Sequence, residues 1–194
     1  VFKTTAYELG FAYADYFLAA GILTEKNISR MGEAQLASDL LVALVGGVQT
    51  VKNIERYYKE FEKLETVPQR ISDAVEHFKM TMQFVGAIYP SKDLKQTNWS
   101  RPHWFYTLFT CVAHALSPLE GLNGVALPPL QEGDVIAWRS ELDEISAMYD
   151  QFTEDNDEDV PAVFARFINY AQRRTTDTEA RRERARFVLD AITK

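Results

Sequence analysis

Apolar residues recur along this chain at three- and four-residue intervals, a pattern that predicts helix after helix. The stretch "TTAYELGFAYADYFLAAG" opens with a Thr5-x-x-Glu8 capping box and closes at Gly21, where a left-handed cap costs glycine little. Glu8 and Asp15 are its only charges and share one stripe. The rest is apolar or aromatic, so this helix is expected to be central or to face another domain. "EAQLASDLLVALV" then places Leu36, Leu40, Leu41 and Leu44 at helical spacing before Gly46-Gly47 stop it. Thr50 is placed to cap "VKNIERYYKEFEKLE", whose apolar side is Val51, Ile54, Tyr58 and Phe61. Thr66 with Gln69 reads as a further capping box, Pro68 being tolerated in the first turn, and opens a helix running to about Tyr89.

"SRPHWFYTLFTCVAHALS" predicts a helix buried on most sides. The proline- and glycine-rich stretch 117–133 breaks the periodicity, as a domain boundary or as an ordered crossover loop. The second reading is preferred, because the helices after it carry apolar stripes that need a partner surface. They fall at roughly 134–152, 160–173 and 177–192, the last with a Thr176-x-x-Glu179 box, and an acidic hinge "EDNDED" separates the first two. The expected fold is all-α, one multi-helix domain over residues 1–194 with about eight helices.

Composition narrows the function more than the fold. A net charge of −7 argues against a protein that coats nucleic acid with its whole surface, although a local basic face stays compatible with DNA. Cys111 is the single cysteine, which fits a reducing compartment. No apolar run approaches the ~20 residues of a membrane span. A cytoplasmic location without membrane contact is expected.

Motifs for phosphate loops and for nucleophilic catalysis are absent, and Gly121-x-x-Gly124 reads as turn glycines. His103 and His114 share a helix face, but at ~1.5 Å rise per residue they stand roughly 16 Å apart, too far for one ion. Cys111 and His114 would supply only two zinc ligands, and Glu141 with Glu144 lacks the Glu-x-x-His partners of a di-iron site. No metal and no cofactor is expected in this chain. Asp73 and His77, at i and i+4, are the remaining candidates for catalysis as a base and its polarising partner.

Six of the arginines crowd into "RRTTDTEARRERAR". On a helical wheel Phe187, Val188, Ala191 and Ile192 form the apolar face, with Arg184 in its middle and Arg181 at its flank. These two are expected to be structural, joining their helix to an acidic residue of another. Arg182 and Arg186 point the other way, beside Glu183 and Asp190. With Arg173, Arg174, Thr175 and Thr176 they make either a face for phosphate or a partner, or a solvated surface.

Arg30-Met31 ahead of "EAQLASDLLVALVGGVQ", then "IERYYKEFEK", "RPHWFYTLFTCVAHAL" and "RRTTDTEARRERARFVLDAI" follow one another as in one bacterial family. Together they resemble the helical C-terminal region of proteins related to the S half of GmrSD-type, modification-dependent restriction enzymes. That resemblance implies a phage-defence protein whose ParB/sulfiredoxin-like domain, with its Asp-Gly-Gln-Gln-Arg motif, makes the parent an NTP-dependent nuclease. No Asp-Gly-Gln occurs here and no HNH pattern, so such a domain would have to precede Val1 as the partner of this region. The chain would then be a non-catalytic scaffold, sensor or docking surface. A stand-alone helical module binding another protein is the alternative.

Overall fold

In the computed structural model of the chain, residues 1–64, 66–124, 127, 130–155 and 161–193 are described. They form α1 (Phe2–Ala19), α2 (Glu25–Ile28), α3 (Gly32–Gly46), α4 (Ile54–Phe61), α5 (Gln69–Ile88), α6 (Ser91–Leu94), α7 (Pro102–Leu116), α8 (Val135–Asp155), α9 (Ala162–Gln172) and α10 (Thr178–Ile192). Eight of these ten are seven residues or longer, and no strand occurs among the described residues. Short 3-10 turns precede α4, α7 and α8. The fold is all-α, as the periodicity predicts.

α7 is the axis of the molecule: every residue from Trp104 to Ala115 is buried, because its sequence offers an apolar or small side chain in every direction. α3, α5 and α10 pack around it. At one end Trp104 is enclosed by Trp99, Tyr149 and Phe167, all edge-on at about 5 Å between ring centres. Trp99 completes that corner by donating its indole N–H to the Leu142 carbonyl of α8. The stretch between α7 and α8 sends Leu119, Leu122 and Leu130 into the same core.

α1 is not central. It lies against α3, and Gly10 permits the approach, since a Cβ there would come within 2.8 Å of the Glu33 and Ala34 backbone. Its far side faces out, with Phe11 85% exposed between Glu8 and Asp15.

Four expected caps are corrected. α1 begins at Phe2, and Thr5 inside it bonds back to the Val1 carbonyl instead of capping. The cause is packing, for Phe2 is fully buried and stacks on Phe61 beside Tyr57 and Tyr58. α5 starts after Pro68 with no side-chain cap, and Gln69 donates to Asp73 instead of closing a box with Thr66. α10 has Asp177, not Thr176, at its N-cap, while Glu179 accepts from the Tyr170 hydroxyl. Thr50 likewise precedes a 3-10 turn and makes no cap bond. Gly21 and Gly47, both at positive φ, end α1 and α3 as expected. α8 runs two residues into the acidic stretch read as a hinge, the remainder of which lies outside the described residues. No single helix among the described residues is long and apolar enough to cross a membrane.

Candidate functional site

The six-arginine segment divides into three groups. Arg181 forms a bidentate pair with Asp39 of α3, at 2.8 and 2.6 Å, and gives a third bond to the Gln49 carbonyl at 2.9 Å. Its guanidinium lies 3.8 Å from the centre of the Tyr106 ring. Burial works against the charged form, but the Asp39 carboxylate and Tyr106 outweigh it and raise the guanidinium pKa. The acidic partner expected from the wheel is therefore Asp39.

Arg184 is fully buried and meets no carboxylate among the described residues. It donates to Thr107 Oγ1 (3.0 Å) and to the carbonyls of Tyr170 (2.7 Å), Thr175 (2.8 Å) and His103 (3.4 Å). Desolvation, then the nearby Arg181 charge, pulls its pKa down to about 10, so it stays a cation at neutral pH. One guanidinium thus ties α7, the end of α9 and the turn before α10 together. That use explains Thr175, whose carbonyl is taken, and Arg174, which holds a left-handed φ of 50° in the same turn.

The outward face is corrected in part. Arg173, Arg174 and Thr176 are exposed, and Arg186 pairs with Glu183, which also pairs with Arg166. Arg182 does not join a solvated face. Its Nε donates to the Val48 carbonyl at 2.9 Å, and the guanidinium lies close against Gly121, where a Cβ would come within 2.5 Å of Nε. Gly121 holds a φ of 90° there. Neither η nitrogen of Arg182 has a hydrogen-bond partner among the described residues.

Arg182 forms one wall of a polar cleft of about 480 Å³. α4 contributes Arg56 and Glu60, the start of α5 contributes Arg70, and Glu120 and Thr178 complete the rim. Arg70 is held by a salt bridge to Glu60 and by stacking on Phe61, 4.5 Å from the ring centre. Arg56 is exposed and unpaired among the described residues. Gln49 anchors the floor, bonding the Gly46 carbonyl, the Tyr57 hydroxyl and Asn53. Arg56 and Arg70 were not foreseen: each reads as an ordinary solvated cation, and the fold alone brings positions 56, 70 and 182 to one place. Asp39 carried a signal, being the one charge inside the apolar run "LASDLLVALV".

The other candidates are occupied elsewhere. Asp73 and His77 do not bond to each other; His77 Nε2 lies 2.9 Å from the Ala113 carbonyl and must donate to it. Burial lowers the His77 pKa, which favours the neutral ring. Both residues line a second cleft of about 500 Å³, which shares Val45 and Arg70 with the first. His103 Nε2 bonds the Ala171 carbonyl, Cys111 lies 3.5 Å from the Ala185 carbonyl, and His114 Nδ1 accepts from the Leu119 N–H. Burial pushes the Cys111 thiol up, away from the reactive thiolate. Among the described residues no group of three or more His, Cys, Asp or Glu is placed to hold a metal ion.

No family model matches this chain, and neither a curated protein nor a solved structure matches it.

Proposed function

We propose that this chain is a helical sensor or docking module that recognises an oxyanion through Arg56, Arg70 and Arg182. The observation that supports this reading is the state of Arg182. Its Nε is fixed to Val48 and the group lies close against Gly121, yet neither η nitrogen has a hydrogen-bond partner among the described residues, in a polar cleft shared with two further guanidiniums. A guanidinium held in place before binding loses little freedom when an oxyanion arrives, and its planar fork matches two oxygens at once. Glu60 neutralises part of Arg70 and Glu120 stands on the same rim, so three cations face two carboxylates, and Arg56 and Arg182 are the two that make no ion pair among the described residues. The role fits the sensor or docking part that the resemblance implies for a restriction-type protein, with catalysis supplied by a partner domain.

The test is thermal unfolding of the full chain with inorganic phosphate at constant ionic strength. Phosphate is expected to raise Tm in the parent chain and to lose that effect in Arg56→Gln, an exposed position whose change leaves the fold intact. Arg182→Gln is expected to remove it as well, at a cost of about 1 kcal/mol for the bond to Val48. An equal shift in parent and variants, or no shift at all, overturns the proposal.

A further inference from the structure

One carboxylate of the arginine cleft stands without a partner. Glu120 lies in the stretch between α7 and α8, and its backbone is held in place. Its carbonyl accepts from the Val48 N–H at 2.9 Å, and a Cβ on Gly47 would come within 2.6 Å of the Glu120 Cβ. Arg182 is tied to the same residue, its Nε donating to the Val48 carbonyl, and lies close against Gly121, the neighbour of Glu120 in the chain. Held by one residue and lining one cleft, Glu120 and Arg182 still do not pair, and the Glu120 carboxylate makes no hydrogen bond or ion pair among the described residues. Arg70 is taken by Glu60, which leaves two cations, Arg56 on α4 and Arg182 on α10, and one anion, Glu120. The walls between them are mostly polar, with Gln49, Asn53 and Thr178, and offer little to an apolar body.

We infer that the cleft takes a small dicarboxylic amino acid, its two carboxylates on Arg56 and Arg182 and its ammonium on Glu120. This rests on the oxyanion reading above and names the class of molecule that carries the oxyanions. Each guanidinium fork matches the two oxygens of one carboxylate, and two forks on separate helices match two carboxylates. The ammonium is assigned because Glu120 would repel a purely anionic ligand, whereas a cationic donor turns that repulsion into a charge-assisted bond. A metal ion matches Glu120 less well, since it needs further oxygen ligands where two unpaired guanidiniums line the space.

Isothermal titration of the full chain at constant ionic strength compares L-glutamate and L-aspartate with two sets of analogues. Glutarate and succinate lack the ammonium, and L-glutamine and L-asparagine lack the second carboxylate; O-phosphoethanolamine and inorganic phosphate complete the series. The tighter of the two acidic amino acids is expected to bind roughly tenfold or more tighter than its analogue of either kind, the worth of one charge-assisted hydrogen bond. Glu120→Gln changes an exposed side chain and keeps the carbonyl bonded to Val48. It is expected to bring the amino acid down to the level of its deaminated analogue, while inorganic phosphate binds at least as tightly as before. An amino acid no tighter than its deaminated analogue, or unmoved by Glu120→Gln, overturns the ammonium assignment. An amide analogue as tight as the acid overturns the second carboxylate, and O-phosphoethanolamine as tight as the amino acid overturns the dicarboxylate in favour of phosphate. Binding of inorganic phosphate with none of either amino acid overturns this inference and leaves the oxyanion reading standing. If nothing binds, both fall.

Discussion

Arg184 and Arg182 stand two residues apart on α10, and the protein uses them in opposite ways. Arg184 lies in the interior and gives four hydrogen bonds to α7, α9 and the turn before α10. Arg182 gives one, to Val48, and rests on a glycine at the edge of a cleft. The same side chain is a structural tie where the fold claims its N–H groups, and a held but open cation where the fold claims only enough to fix its direction. The number of donors left over, more than burial or charge alone, separates the two uses.

The contrast is tested most severely at the interior end. Arg184→Leu leaves the carbonyls of Tyr170 and Thr175 without their donor, and a loss of about 2–6 kcal/mol is expected, at about 1–3 kcal/mol for each buried acceptor left unsatisfied. Urea denaturation measures it. A loss under about 1 kcal/mol, the worth of one ordinary hydrogen bond, would mean that Arg184 is no tie.

His103 gives the next largest effect, through pH. Burial, then the charges of Arg184 and Arg101, lowers its folded pKa from 6.5 to about 4. The unfolded chain therefore takes up a proton that the folded state refuses as the pH falls from 6.5 toward 4. Stability drops across that window by at most about 3 kcal/mol and changes no further from this group below it. In His103→Gln, which keeps a donor for Ala171, the denaturation midpoint is expected to depend less on pH between 4 and 6.5. An unchanged dependence would show that the arginine-lined interior tolerates the imidazolium.

The smallest expected effect lies at the cleft. Gly121→Ala forces a Cβ into a backbone held at φ 90° and into the Arg182 guanidinium, so about 1–3 kcal/mol should be lost. Any phosphate-induced rise in Tm should vanish with it, although no charge has been removed. Retention of the full rise would mean that Arg182 needs no platform, and the distinction between a held and a free cation would dissolve.

How much of this was legible follows from where each residue's partners lie. Helical spacing exposed α3, α5, α7 and α10, and it placed Arg181 and Arg184 among apolar neighbours, so their inward role could be read from one helix. The capping boxes at Thr5, Thr66 and Thr176 failed because a local motif yields to tertiary packing, as Phe2 shows by drawing the start of α1 four residues early into the rings of α4. Of the cleft only Arg182 could be read, as one of the outward arginines open to a phosphate or a partner. Arg56, Arg70 and Arg182 belong to three elements, and nothing within any one of them separates it from a solvated arginine.

The bond between Asp39 and Arg181 spans 142 residues of chain. Synthesis proceeds at on the order of ten residues per second, so Asp39 waits on the order of ten seconds before its cation has even been made. During that interval α3 presents a carboxylate within an apolar run, and α7 has no neighbour on the side that α10 will cover. The nascent chain can condense around α1, α3, α5 and α7, but it cannot seal. Closure of this seam therefore waits for α10, and until then Asp39 and one side of α7 stand without the partners they have in the finished fold.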